Sequence, residues 1–157
     1  MENAKRLVIG TFFGALTLFA TGYVMFGIAF PNFYADFMNV GSATGVARQP
    51  FLRWAVGLAM LSYSALMTLA IGSRSGTLTI STRMKMGAIV SFLIWFTADF
   101  TLYGISNIGD LRGTAIAPLL ELVPGAIAGG VIAFVLGKIP VASRMQDSRA
   151  VSGGRAA

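Results

Sequence analysis

The sequence predicts an all-α protein, a four-helix transmembrane bundle with both termini cytoplasmic. Three observations predict it. Of 157 residues, 55 % are hydrophobic and only 11 % are charged, where an average soluble domain carries roughly 25 % charged residues. Mean hydropathy is +0.74. The apolar residues also fall into four long runs, with most charges between and after them. So few charges cannot cover a soluble surface, and so apolar a chain cannot stay disordered.

Each run is long enough to cross about 30 Å of hydrocarbon, which takes about 20 helical residues. Residues 7–30 contain no charge and stop at Pro31. They are too long for a signal peptide and lack a small-x-small cleavage site, so they read as an uncleaved first helix. Residues 51–71 hold one charge, Arg53. Residues 86–103 hold Asp99, and residues 115–136 hold Glu121. Backbone groups in lipid need partners within their own segment, so each run must be helical. None alternates as barrel strands do. The four spans make one membrane domain over residues 1–139. Residues 140–157, rich in Ser, Gly, Arg and Ala, are expected to form a mobile basic cytoplasmic tail. The aromatic stretch 30–37 suits a short helix at the headgroups.

Orientation follows from basic residues. Lys5, Arg6, Arg74, Arg83, Lys85, Lys138, Arg144, Arg149 and Arg155 would share one side; Arg48, Arg53 and Arg112 would share the other. The richer side is expected to be cytoplasmic. The formal net charge of +6 therefore points to anionic lipid headgroups, and nucleic acid is not expected as a partner.

Composition also narrows the chemistry. The chain has no Cys and no His, which removes thiolate sites, disulfides, the commonest zinc and haem ligand and the commonest general base. No metal, cofactor or catalytic residue is expected. An enzyme would depend on Asp99, Glu121 and Tyr103, with no activated nucleophile beside them.

Small residues should mark the faces where membrane helices meet. Gly10, Gly14, Thr17 and Thr21 form such a stripe in the first run; Arg53, Gly57, Leu61, Ser64 and Thr68 form one in the second. Ala88, Phe92, Trp95, Asp99 and Tyr103 line the third. In the fourth, Glu121 shares a face with Pro124, Gly125, Ala128 and Gly129. Packing alone explains the glycines. Pro118 and Pro124, either side of Glu121, are expected to kink the last helix there.

Ionisable residues inside spans are rare and normally face the bundle interior. Asp99 lies four residues from Tyr103, roughly 6 Å in, and Glu121 lies six from Ala115, roughly 9 Å in. With Arg53 near the outer start of its helix, all three fall in the outer half, and mutual contact is expected. Arg53 can offset one carboxylate; the two acids would then titrate together and share a proton. The cluster is either a clamp on three helices or a ligand or proton site. Tyr103 and Asn107, one and two turns beyond Asp99, could cap it or bind a polar solute at its mouth. A groove lined by Phe92, Trp95 and Phe100 would suit a lipid, quinone or carotenoid, though aromatics in spans commonly serve packing.

The segment Asp99-Phe-Thr-Leu-Tyr-Gly-Ile-Ser-Asn107, then Leu111-Arg-Gly113 and an acid in the fourth span, is distinctive. So is the opening Gly22-Tyr-Val-Met-Phe-Gly27 with the aromatic stretch 30–37. Together they resemble small four-helix bacterial inner-membrane proteins of unknown function, over most of the chain to about Gly137. At position 121 the resemblance leads one to expect Asp, and this chain has Glu. It implies a bacterial inner-membrane location and a four-helix bundle, and no established activity.

The functional expectation is a non-enzymatic membrane protein, either an accessory subunit or a small homo-oligomer, or one bound to a larger membrane-protein partner. The alternative is a small-solute or proton-linked carrier or channel using Asp99 and Glu121. Four helices are few for a carrier built from repeats, though a dimer would double them.

Overall fold

The computed structural model describes residues 2–33, 52–72, 79–106 and 109–139. Every element among them is helical. α1 spans Glu2–Gly22 and runs on through Tyr23–Ala29 in a wider helix. α2 is Arg53–Gly72, α3 is Ile80–Ile105, α4 is Leu111–Leu120 and α5 is Leu122–Lys138. α4 and α5 form one rod broken at Glu121, so the chain makes four rods, each long and apolar enough to cross a membrane. The expected tail, Asn107 and half of the aromatic stretch, residues 34–37, lie outside the described residues.

Local chemistry sets the ends. Pro31 has no N–H to extend the ladder; the last turn closes instead through Phe30 N–H to the Met25 carbonyl at 2.8 Å, a five-residue step. Thr79 caps α3 by accepting from Thr82 N–H at 3.2 Å. Asp110 caps α4 by accepting from Gly113 N–H at 2.6 Å. An N-cap of this kind satisfies one of the donors that the first helical turn leaves unpaired.

The rods alternate in direction. Gly10 of α1 lies against Thr68 of α2 and Leu136 of α5, and Gly14 lies against Ser64 and Ile132. Arg6 Nη1 donates to the Ile139 carbonyl at 2.9 Å, tying the start of α1 to the end of α5. We call this the Arg6 end and the opposite one the Arg53 end. α5 is central: α3 packs along it, α1 packs on it and on α2, and α2 meets it more lightly. The apolar core is Leu18, Tyr63, Met67, Ile71, Ala128, Ile132 and Leu136.

Packing is tightest where side chains are absent. A Cβ on Gly87 would meet Gly129 Cα at 2.8 Å as well as the Gly125 carbonyl; one on Gly129 would meet the Arg83 carbonyl at 2.7 Å. Here the α3 and α5 backbones touch directly, as small residues permit. Toward the Arg53 end the rods separate. α4 packs on α3 and barely reaches α1 or α2, while Tyr23–Ala29 buries no residue. Among the described residues, the hairpins α1–α2 and α3–α4–α5 thus join at the Arg6 end and splay at the other, where Thr114, Ala117 and Phe33 are nonetheless buried.

Candidate functional site

The site is built on the break in the last rod. Pro118 and Pro124 each lack an N–H, so the carbonyls four residues earlier lose their helical donors. The helix yields between them, at Glu121. The Glu121 carbonyl accepts from Gly125 N–H at 3.1 Å and from Ser91 Oγ at 2.7 Å. Ser91 Oγ in turn accepts from the Tyr63 hydroxyl. One buried chain of hydrogen bonds therefore links α2, α3 and the α4–α5 break. Every lone pair it uses is matched to a donor, the condition under which a buried polar network is tolerated.

Above this chain the matching stops. Gly87, Ser91, Trp95 and Asp99 recur every four residues and so share one face of α3. Asp99 is only 4 % exposed and its Oδ2 has no hydrogen-bond partner among the described residues. Trp95 is half-buried; its indole N–H approaches the Tyr63 hydroxyl without making a hydrogen bond of normal geometry. Glu121 is 7 % exposed. Helical side chains lean toward the start of their own helix. On antiparallel α3 and α4 that slope tilts Asp99 and Glu121 toward each other, and each lies within the other's electrostatic reach.

The structure brings together Asp99, Glu121 and Trp95 of the residues singled out by sequence. It does not bring Arg53 to them. Arg53 is exposed at the first turn of α2 and does not reach Asp99 Oδ2, which has no hydrogen-bond partner among the described residues. The expected clamp through an Arg–carboxylate contact is therefore not what joins the helices; the Tyr63–Ser91–Glu121 chain does that. Glu121 also sits deeper than expected. The rod begins at Leu111, so ten residues precede it, about 15 Å at helical rise. Tyr103 is 40 % exposed and stands at the rim of the cluster. Asn107 lies outside the described residues.

Two members went unnoticed in the sequence. Ser91 was hidden because the expected α3 stripe ran through Ala88 and Phe92, one position off. The signal was the four-residue spacing Gly87, Ser91, Trp95, Asp99. Tyr63 precedes Ser64, a residue of the expected α2 stripe, and its partner becomes visible only once Ser91 is placed.

No group of three or more metal-ligand side chains forms among the described residues. What the arrangement offers is two carboxyls and an indole donor; Phe92, Phe96 and Phe100 stack on one another along the adjacent face of α3, at 5.5 and 4.4 Å. No protein-family model, curated protein or solved structure matches the chain. The reading of its function therefore rests on this geometry.

Proposed function

We propose that the chain is a non-enzymatic, multi-pass protein of a bacterial inner membrane, both termini cytoplasmic, acting as an accessory subunit or a small homo-oligomer. One observation carries this reading. The Asp99 carboxyl is enclosed in the splayed half with an oxygen that no described group of its own chain satisfies. Burying such a group without a partner is costly, and an ionisable residue kept inside a span marks a site. A second copy or a larger membrane protein seated between the hairpins would supply the missing donor.

Other features support the membrane setting. Large apolar side chains such as Phe12, Trp54, Leu93 and Phe134 stand exposed around the rods, as lipid contact requires. The excess of Lys and Arg at the Arg6 end supports a cytoplasmic placement of that end. The inner-membrane location rests on the resemblance described above.

The orientation is open to a clean test because the chain has no native Cys. On intact cells, a membrane-impermeant maleimide should label Ser106→Cys and spare Ser75→Cys; the reverse pattern overturns the topology. Native mass spectrometry after mild-detergent extraction should show an oligomer or a hetero-complex that Asp99→Asn weakens. A monomer indifferent to that substitution would overturn the subunit reading.

The pairing of two buried acids, Asp99 and Glu121, inside the bundle favours a second reading, a small-solute or proton-linked carrier or channel. Proton or solute flux into liposomes, abolished in both Asp99→Asn and Glu121→Gln, would select it.

A further inference from the structure

A second site lies at the other end of the molecule. A groove of about 330 Å3 runs between the first turn of α3 and the last turn of α5, lined by Ile80, Arg83, Ala133, Phe134, Gly137 and Lys138. It joins two unlike surfaces. Ile80 and Phe134 give it exposed apolar walls. Arg83 and Lys138 give it two positive charges, with no acidic residue in its lining among the described residues. The Arg83 Nε–H is buried without a hydrogen-bond partner, so a donor is held out of water and unsatisfied. The Lys138 ammonium lies 5.4 Å from the Phe134 ring centre, held over the aromatic face. The first turn of α3 adds backbone N–H groups with partial positive charge. Arg83 is also fixed in place, since its carbonyl packs against Gly129 at the tightest crossing in the bundle.

We infer that this groove binds an anionic phospholipid, with the phosphate between Arg83 and Lys138 and an acyl chain along Ile80 and Phe134. The chemistry selects each part. A guanidinium and an ammonium lining one groove both favour a phosphate group. The apolar walls beside them suit a chain that continues into hydrocarbon, which a free anion lacks. The inference rests on the membrane reading above, which puts this end at a headgroup layer, and it is independent of the Asp99 site.

The test uses the full chain in mixed micelles holding equal phosphatidylglycerol and phosphatidylcholine, with bound lipid counted by native mass spectrometry. Wild type should retain phosphatidylglycerol in preference. The double variant Arg83→Gln/Lys138→Gln should lose that preference by about thirtyfold, on the scale of one juxtamembrane charge each. Lys85→Gln, outside the groove lining, should keep it. Lys138→Gln alone, at an exposed last-turn position, carries the test if the Arg83 substitution disturbs folding. Equal retention of both lipids, or an unchanged preference in the variants, overturns the proposal. Displacement of phosphatidylglycerol by excess inorganic phosphate would reassign the groove to a soluble anion and also overturn it. Cysteine labelling reports separately on topology, so equal retention of both lipids by a correctly oriented wild-type chain counts against the groove alone.

Discussion

At the Arg6 end, Gly87 and Gly129 let two helix backbones touch, and apolar side chains fill the remaining space. At the Arg53 end, the rods are splayed and one buried oxygen of Asp99 is unmatched. The two regions belong to the same helices. They differ in what their small and polar residues do. In lipid, apolar surface gives helices little reason to prefer each other over acyl chains. Adhesion then depends on close backbone approach, and this protein concentrates it in one half. The other half is left with surface and polar groups to spend on something outside the protomer.

The largest expected effect breaks the close half. In Gly87→Ala the new Cβ would meet only backbone: the Gly125 carbonyl, Gly129 Cα and Gly129 N. None of these can swing aside, so α3 must move off α5, at a cost of about 3 kcal/mol. Gly57→Ala, in α2 near the Arg53 end, has nothing within 4 Å of the new atom. It should stabilise by up to about 1 kcal/mol through helix propensity. Reversible unfolding in mixed micelles measures both. Equal effects at the two positions would erase the contrast between the halves.

Next comes the joint between the halves. Ser91→Ala removes the acceptor for Tyr63 and the second donor to the Glu121 carbonyl. The expected loss is about 2 kcal/mol, between one and two buried hydrogen bonds with a hydroxyl left unsatisfied. Tyr63→Phe in the Ser91→Ala background should then add little, because the two residues act as one unit. Fully additive losses would show that the chain of hydrogen bonds does not work as a joint.

The sequence exposes the rods readily, because a run of about 20 apolar residues has few other structural options. It also exposes the α5 face: Glu121, Pro124, Gly125, Ala128 and Gly129 are all buried. Spacing was less informative on α3. Stripes through Ala88 and Gly87 both contain Asp99, and a shift of one residue turns the helix by about 100°. Only the partner backbone decides between them, and it chooses Gly87 because nothing larger fits. Arg53 misled for a different reason. A charge at the edge of a span can reach the headgroups as easily as a buried acid, and sequence does not record that the hairpins diverge before its level.

The smallest expected effect on stability tests the open half most directly. In the isolated protomer Asp99→Asn should cost no more than about 0.5 kcal/mol of unfolding free energy, since the neutral amide is less costly to bury than an unpaired carboxylate. Asp99 Oδ2 has no hydrogen-bond partner, and the near-isosteric amide preserves the packing. A residue that clamped the bundle would instead cost about 3 kcal/mol or more when its buried partner was left behind. The two outcomes separate cleanly in the same unfolding assay used for Gly87→Ala. A flat result there, combined with weakened association or flux in the experiments proposed above, would assign Asp99 to function. A large loss would move it into the scaffold beside Ser91 and dissolve the distinction between the two halves.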